Sequence, residues 1–186
     1  YGVSFSNVTL YVPEASVEAY ASANFWKSFR VIYADQTTLA TLDDTEYGLL
    51  QTLYTALDGD NWTRKWTFGA TKDETLLPYG VRLHNGHVVQ LLLSGNNLSG
   101  TLPVELMQFP QLWLIDLSNN QLSGKVDDVF NSMPVNTALT SLNLNDNQLT
   151  GNIGAMRQDV GDGWVDKLPN LSTLKIARNK IRDVQP

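Results

Sequence analysis

The sequence predicts an α/β solenoid. The expected shape is a right-handed superhelix of about four repeats, with a parallel β-sheet on its concave face and a helical cap at its N-terminal end. Three observations carry this prediction. An eleven-residue pattern occurs four times, starting at Val88, Leu112, Leu139 and Leu171: apolar, two variable, apolar, variable, apolar, two variable, Asn, variable, apolar. Within each copy two apolar residues stand two apart, the spacing at which strand side chains share a face. Ahead of the first copy lies an amphipathic segment followed by two tryptophans, suited to covering the apolar end that a stack of repeats leaves open.

Residues 1–34 read as a separate piece. Val8-Thr9-Leu10-Tyr11-Val12 alternates like a strand and is followed by Pro13. Residues 14–29 suit one or two short helices with Val17, Tyr20, Phe25, Trp26 and Phe29 as the apolar set, and Val31-Ile32-Tyr33 suits a strand. Residues 35–41 read as a linker, and the helical cap with its hairpin is assigned to residues 35–87. Within it, Tyr47, Leu50, Leu53, Tyr54 and Leu57 fall at helical spacing and predict a helix over 42–57. Asp43 is the expected N-cap, Glu46 the reciprocal member of a capping box, and Leu42 a staple onto Tyr47. The turn-rich Asp58-Gly59-Asp60-Asn61 should end the helix, and Trp62 and Trp66 should pack over the first repeat. Asn85-Gly86 between His84 and His87 is a strong hairpin signal.

The repeats occupy residues 88–186. Their apolar and Asn positions are Val88, Leu91, Leu93, Asn96, Leu98; then Leu112, Ile115, Leu117, Asn120, Leu122; then Leu139, Leu142, Leu144, Asn147, Leu149; and last Leu171, Leu174, Ile176, Asn179, Ile181. One repeat cannot bury its own apolar face, whereas a stack can, at roughly 1.5–3 kcal/mol for each fully buried Leu or Ile. The Asn follows the strand, where the backbone turns and its amides lose ladder partners. A short amide both accepts from and donates to such a turn, so Asn96, Asn120, Asn147 and Asn179 are expected to form a structural ladder.

These residues resemble the leucine-rich repeat family. Asn96-Asn97-Leu98-Ser99-Gly100-Thr101-Leu102-Pro103 and Asn120-Gln121-Leu122-Ser123-Gly124 are similar to the plant-type subclass, which carries Leu-Ser/Thr-Gly-x-Ile/Leu-Pro after the Asn. The third copy keeps Leu149-Thr150-Gly151-Asn152-Ile153 but has Gly154 where the subclass has Pro. The resemblance covers residues 88–184. The first interval, 24 residues from Val88 to Leu112, is the usual plant-type length; the next two, 27 and 32, imply convex-side insertions, the longest containing Arg157 to Trp164.

The segment Leu53 to Thr63, and Tyr79-Gly80-Val81 followed by Asn85-Gly86-His87-Val88-Val89, resemble the cap and lead-in of bacterial, especially Bacteroidetes, leucine-rich repeat proteins. Leu10-Tyr11-Val12-Pro13, Val17-Glu18-Ala19-Tyr20 and Trp26-Lys27-Ser28-Phe29 resemble the closing segment of BspA-like repeat domains. That makes residues 1–34 the tail of a preceding repeat region, or extra packing on the cap. The chain starts at Tyr1 and stops inside a repeat, which reads as a processed or trimmed fragment.

Composition removes several function classes. A net charge of −6 argues against nucleic acid and anionic membranes as main partners. No apolar run approaches the length of a membrane span. The absence of cysteine excludes disulfides, thiolate metal sites and a Cys nucleophile, and departs from plant extracellular repeat proteins, whose caps usually carry disulfides. No P-loop, dinucleotide fingerprint or nucleophile elbow is present, and no cofactor is expected. The His84/His87 pair lacks a third ligand and reads as turn-flanking residues. Asp58-Gly59-Asp60-Asn61 and Asp159-Val160-Gly161-Asp162-Gly163 lack the bidentate Glu of a calcium loop. Asn7, Asn61, Asn97 and Asn170 begin glycosylation sequons, incidental in a bacterial protein and meaningful in a secreted eukaryotic one.

Function is therefore sought on a surface. Solenoids bind along the concave sheet, whose outward residues here are Gln90, Leu92, Ser94; Leu114, Asp116, Ser118; Ser141, Asn143, Asn145; and Thr173, Lys175, Ala177, with Asp146 and Arg178 along one rim. Trp113, next to the strand surface, is the aromatic candidate for a binding hot spot. The basic last repeat, with Lys175, Arg178, Lys180 and Arg182, reads as a solvated edge, as charge guarding an exposed edge, or as a docking place for a further segment or a second copy. Without a further cap this end is expected to self-associate. The resemblance implies a non-enzymatic protein–protein interaction module of a bacterial cell-surface or secreted protein, taking a host, cell-envelope or other protein or peptide ligand. The alternative is a carbohydrate-binding or adhesin accessory domain that uses Trp113 and other exposed aromatics.

Overall fold

The computed structural model describes residues 9–13, 31–35, 39–151 and 164–181. The helices expected within 14–29, the insertion before Trp164, the sequon at Asn7 and the basic Arg182 lie outside them. The strands are β1 (Thr9–Pro13), β2 (Val31–Asp35), β3 (Val81–His84), β4 (His87–Leu92), β5 (Ser99–Thr101), β6 (Leu114–Asp116), β7 (Gln121–Ser123), β8 (Ser141–Asn143) and β9 (Thr173–Lys175). The helices are α1 (Asp44–Ala56) and α2 (Val126–Ser132), with short 3₁₀ turns at Gly59–Asn61, Val104–Gln108 and Trp164–Lys167.

Helix α1 starts where the sequence placed it. The Asp43 carboxylate accepts from the backbone N–H groups of Thr45 (2.9 Å) and Glu46 (3.3 Å), which satisfies two donors of the first turn. The reciprocal half of the expected capping box is absent, because the Asp43 N–H donates to the Gly86 carbonyl instead. Glu46 is 1% exposed and points away from its own helix end. Its Oε2 accepts from the Val88 N–H at 2.7 Å, and its Oε1 lies 2.5 Å from His87 Nδ1. The Glu46 carboxylate thus fastens the cap helix to the first strand of the solenoid. Glu46→Ala should lower the unfolding free energy by about 1–3 kcal/mol in chemical denaturation, the cost of leaving a buried N–H unpaired; Glu46→Gln, which keeps an oxygen for Val88, should lose less.

The hairpin joining β3 to β4 turns at Asn85 (φ 49°) and Gly86 (φ 79°), both left-handed, with His84 opposite His87. It feeds a five-stranded sheet in the order β3-β4-β6-β8-β9, in which β3 is antiparallel to β4 and the other neighbours are parallel. One register runs through the sheet: Leu91, Ile115, Leu142 and Leu174 align across β4, β6, β8 and β9. The first three are at most 1% exposed, so the sheet's inner face forms a continuous apolar column. Two features were not foreseen from the sequence. β5 and β7 form a second, parallel sheet built from the Leu-Ser-Gly segments that follow the Asn, extended by a bridge between Lys125 and Thr150. β1 and β2 also pair in parallel, with Thr9 opposite Val31.

Trp62 and Trp66 are 2% and 3% exposed and close the N-terminal end of the apolar column. Their rings meet edge to face at 4.9 Å, and Tyr54 of α1 packs on both. Each indole N–H has an acceptor: Leu57 O for Trp62 at 2.7 Å and Tyr79 O for Trp66 at 2.9 Å.

Candidate functional site: the concave sheet

The outward residues stand in rows across the parallel strands. Gln90, Leu114, Ser141 and Thr173 align in one row, and Leu92, Asp116, Asn143 and Lys175 in the next. Strand neighbours are spaced about 4.8 Å apart, so each row spans roughly 14 Å. Leu92, Leu114, Asp116 and Asn143 are half-buried and Lys175 is exposed. Two outward positions differ from the expectation: Gln90 is 7% exposed and Ser118 4%. The strand of Gln90 is flanked by the hairpin strand β3, where Arg82 is its register partner.

Several of these polar groups are already held by the turn that follows the strand. Asp116 Oδ1 accepts from the Ser118 N–H (3.0 Å) and hydroxyl (2.6 Å). Asn143 Oδ1 accepts from the Asn145 N–H, and Asn145 Oδ1 from the Ala177 N–H. These bonds fix the side chains before any ligand arrives. Asp116 Oδ2 meets no donor among the described residues, so this carboxylate keeps one oxygen for a partner.

Trp113 is half-buried, neither sealed in the core nor fully presented. Its N–H donates to Val89 O at 3.1 Å, and its carbonyl accepts from the Thr140 and Ser141 N–H groups. The residues in its place in the other repeats grade from buried Val89 through half-buried Thr140 to exposed Ser172.

The rim carries a regularity that sequence reading missed. Gly95 (φ 63°), Asn119 (57°), Asp146 (57°) and Arg178 (55°), each one residue before a ladder Asn, are all left-handed. The first three are types that tolerate this region, which was the available signal; Arg178 is not. Arg178 Nε and Nη2 donate to the Asp146 carboxylate of the preceding repeat. That hydrogen bonding is the main reason the Asp146 carboxyl sits below the usual carboxylate range. Asp43 is likewise lowered, chiefly by the Glu46 N–H. A carboxyl whose folded pKa is depressed adds stability above its unfolded value and loses it as pH falls through the folded value. Thermal melts should therefore show these two contributions intact above about pH 5 and declining below about pH 4, and Arg178→Ala should remove the Asp146 share.

Beneath the rim, the ladder Asn side chains stitch each repeat to the one before it. Asn120 Oδ1 accepts from Asn96 N and Leu98 N, while its Nδ2 donates to the carbonyls of Leu93, Leu117 and Ser118. One and two repeats on, Asn147 and Asn179 accept from Leu122 N and Leu149 N and donate to carbonyls on both sides of their repeat boundary, while the Asn120 N–H goes to the Asp146 carbonyl. Asn96, the first member, exchanges bonds with the Arg64 backbone and so ties the ladder to the cap.

The remaining candidates are occupied structurally. His87 faces Glu46, and no three potential metal-ligating side chains cluster among the described residues. Asp58 receives Asn61 Nδ2 and the Ser99 hydroxyl, which links the end of the cap helix to β5. Asp159 to Gly163 lie outside the described residues. On the convex side a cleft of about 360 Å³ opens between Phe109-Pro110 and Pro134-Val135. No helix among the described residues is long and apolar enough to cross a membrane.

Comparison with known proteins agrees with this geometry. The family described as Leucine Rich Repeat matches residues 87–109, 111–133 and 138–156. These are leucine-rich repeats. A probable leucine-rich repeat receptor-like serine/threonine-protein kinase of Arabidopsis thaliana is 31% identical over 114 residues, 52% of this chain and 11% of its own length. Receptor like protein 22 of the same plant is 38% identical over 78 residues, 42% of this chain and 10% of its own length. The chain thus spans about a tenth of the curated relatives it matches.

Among solved structures, the Arabidopsis receptor kinase HAESA in complex with the peptide hormone IDA and the co-receptor SERK1 superposes with TM-score 0.61 and 25% identity, covering 77% of this chain and 23% of that one. The BIR3–SERK2 complex of Arabidopsis thaliana gives TM-score 0.58 at 24% identity, covering 73% of this chain and 70% of its own. The fold is the leucine-rich repeat solenoid, and its structural neighbours include the leucine-rich repeat ectodomain of the Arabidopsis receptor kinase HAESA.

Proposed function

We propose that this leucine-rich repeat domain is a non-enzymatic interaction module that takes a peptide or protein segment along its concave face. The observation that carries the reading is the aligned row Leu92, Asp116, Asn143 and Lys175, which offers an apolar, an acidic, an amide and a cationic group in fixed order across four parallel strands. A mixed row of this kind complements a polypeptide and not a polyanion. Leu114 and Trp113 add apolar surface beside it, and Asn145, Asp146 and Arg178 border it. HAESA, similar in fold, was solved with a peptide hormone, which supports the same ligand class here.

The setting that fits is extracellular or cell-surface. The cap string from Leu53 to Thr63 is the ground for a bacterial envelope protein with a host or cell-envelope partner; the named relatives, from Arabidopsis thaliana, favour a receptor-like context. We also retain the division into a leading piece (1–34), a cap with hairpin (35–87) and the repeats (88–186). The parallel pairing of β1 with β2 supports a repeat-like leading piece.

A second reading, an adhesin-type carbohydrate site, rests on Trp113, because a half-buried ring beside Thr140 leaves part of its surface for stacking. Selection of displayed peptides on the immobilised domain, run beside a glycan array, tests both. The expected result is a set of peptide binders whose Kd rises at least about tenfold with Asp116→Lys and with Trp113→Ala, the scale of a hot-spot loss. Glycan binders lost with Trp113→Ala alone would favour the second reading. Binders indifferent to both variants would remove the concave site.

A further inference from the structure

Resting on the concave reading, we propose that the Asp116 carboxylate and the Ser118 and Ser94 hydroxyls linked to it form a subsite for one cationic side chain, Arg or Lys, of the bound peptide. The position of each proton carries the inference. Ser118 Oγ gives its single proton to Asp116 Oδ1 at 2.6 Å, so in its other contacts it can only accept. The 2.9 Å bond between the Ser94 and Ser118 hydroxyls therefore runs from Ser94 to Ser118. Ser94 has then committed its own proton, and its oxygen, on an exposed residue, can only accept as well. Asn119 Nδ2 is the neighbouring donor, with long bonds to Ser118 Oγ (3.3 Å) and Ser94 Oγ (3.4 Å). With Asp116 Oδ2 also open, the cluster meets a ligand with a negative charge, acceptor oxygens and no spare hydroxyl proton. The group that complements it is a cationic donor.

The turn does not require this charge. In the next repeat Asn143 Oδ1 accepts from the Asn145 N–H at 3.2 Å, the same bond that Asp116 Oδ1 makes to the Ser118 N–H at 3.0 Å. A neutral amide therefore does the structural work, and the charge at Asp116 is surplus to it. The domain's own cations leave it open. Asp116 has no ion-pair partner among the described residues. Arg178 is paired with Asp146, and Arg64 lies over the Tyr79 ring at 4.3 Å. Lys175 shares the row but stands two strands away, about 10 Å. Ser118, 4% exposed, holds the carboxylate in place through both its N–H and its hydroxyl, so the subsite is oriented before a ligand arrives.

The test pans two displayed peptide libraries on the domain, one containing Arg and Lys and one with both left out. Binders should come from the first, and replacing their shared cation by Gln should raise Kd at least about tenfold. Asp116→Asn keeps an oxygen for Ser118 and removes the charge. It should fold as wild type, raise Kd for the cationic peptides at least about tenfold, and leave the Gln-replaced peptides unchanged. Ser94→Ala should raise Kd several-fold, and added salt should weaken binding. Cation-free binders of equal strength that are still lost in Trp113→Ala would overturn this inference and keep the concave site. Cation-dependent binders indifferent to Asp116→Asn would overturn it too. Binders that ignore both Trp113→Ala and Asp116→Asn, or no binders from either library, would remove the concave reading and this inference with it.

Discussion

Asn120→Ala is expected to lower the unfolding free energy by about 3–5 kcal/mol, enough to unfold a marginally stable domain near physiological temperature. The magnitude follows from what the side chain does. Its oxygen receives two backbone N–H groups of the preceding repeat, and its nitrogen donates among three carbonyls on both sides of the repeat boundary. Alanine removes all of these at once. Each stranded polar group costs about 1–3 kcal/mol, and partial relaxation keeps the total below their sum. Asn120→Asp separates the roles, since it keeps the acceptor and loses the donor. Its loss in urea denaturation should fall between wild type and alanine at neutral pH. An Asn120→Ala protein as stable as wild type would remove the ladder from the stability of the fold.

Trp62→Ala should cost about 3–5 kcal/mol, the range for truncating a fully buried large aromatic. Trp62 fills the space between α1 and the first repeat, packs on Tyr54 and Trp66, and donates to the Leu57 carbonyl at the end of α1, which also accepts from the Ser99 N–H. Removing it uncovers the N-terminal end of the apolar column, and terminal caps are what keep solenoids soluble. Trp62→Phe keeps a ring and loses only the indole donor, while the Ser99 N–H still bonds the Leu57 carbonyl, so its loss should be smaller. Urea denaturation and solubility against concentration read both variants. A Trp62→Ala protein that unfolds at the wild-type midpoint would show that the cap adds nothing to the core.

What the sequence disclosed, and what it withheld, follows from where periodicity acts. Leu91, Ile115, Leu142 and Leu174 recur because each must meet the same neighbour in the next repeat, so the sheet and its register were readable from spacing alone. Ladder residues such as Asn120 were readable for the same reason. Glu46 was misassigned because a capping box is a local rule, while the group that claims its carboxylate, the Val88 N–H, is 42 residues away. Gln90 was expected on an open face because it occupies an outward position; its strand β4 is the one with an antiparallel neighbour in the described five-stranded sheet. The second sheet of β5 and β7 escaped notice because Ser99-Gly100-Thr101 has neither alternation nor β-branched bulk to announce a strand. The left-handed rim was within reach in Gly95, Asn119 and Asp146, but Arg178 broke the pattern.

The central claim, that the concave rows receive the partner, is tested most directly by site-specific photocrosslinking. A photoreactive side chain would be placed at Leu92 or Asn143 on the concave sheet, or at Val135, which is 64% exposed by the convex cleft. Each protein would then be irradiated with the selected peptide binder. Crosslinks from Leu92 and Asn143 but not from Val135 are the expected result. Crosslinks from Val135 alone would contradict it and move the interaction to the convex side.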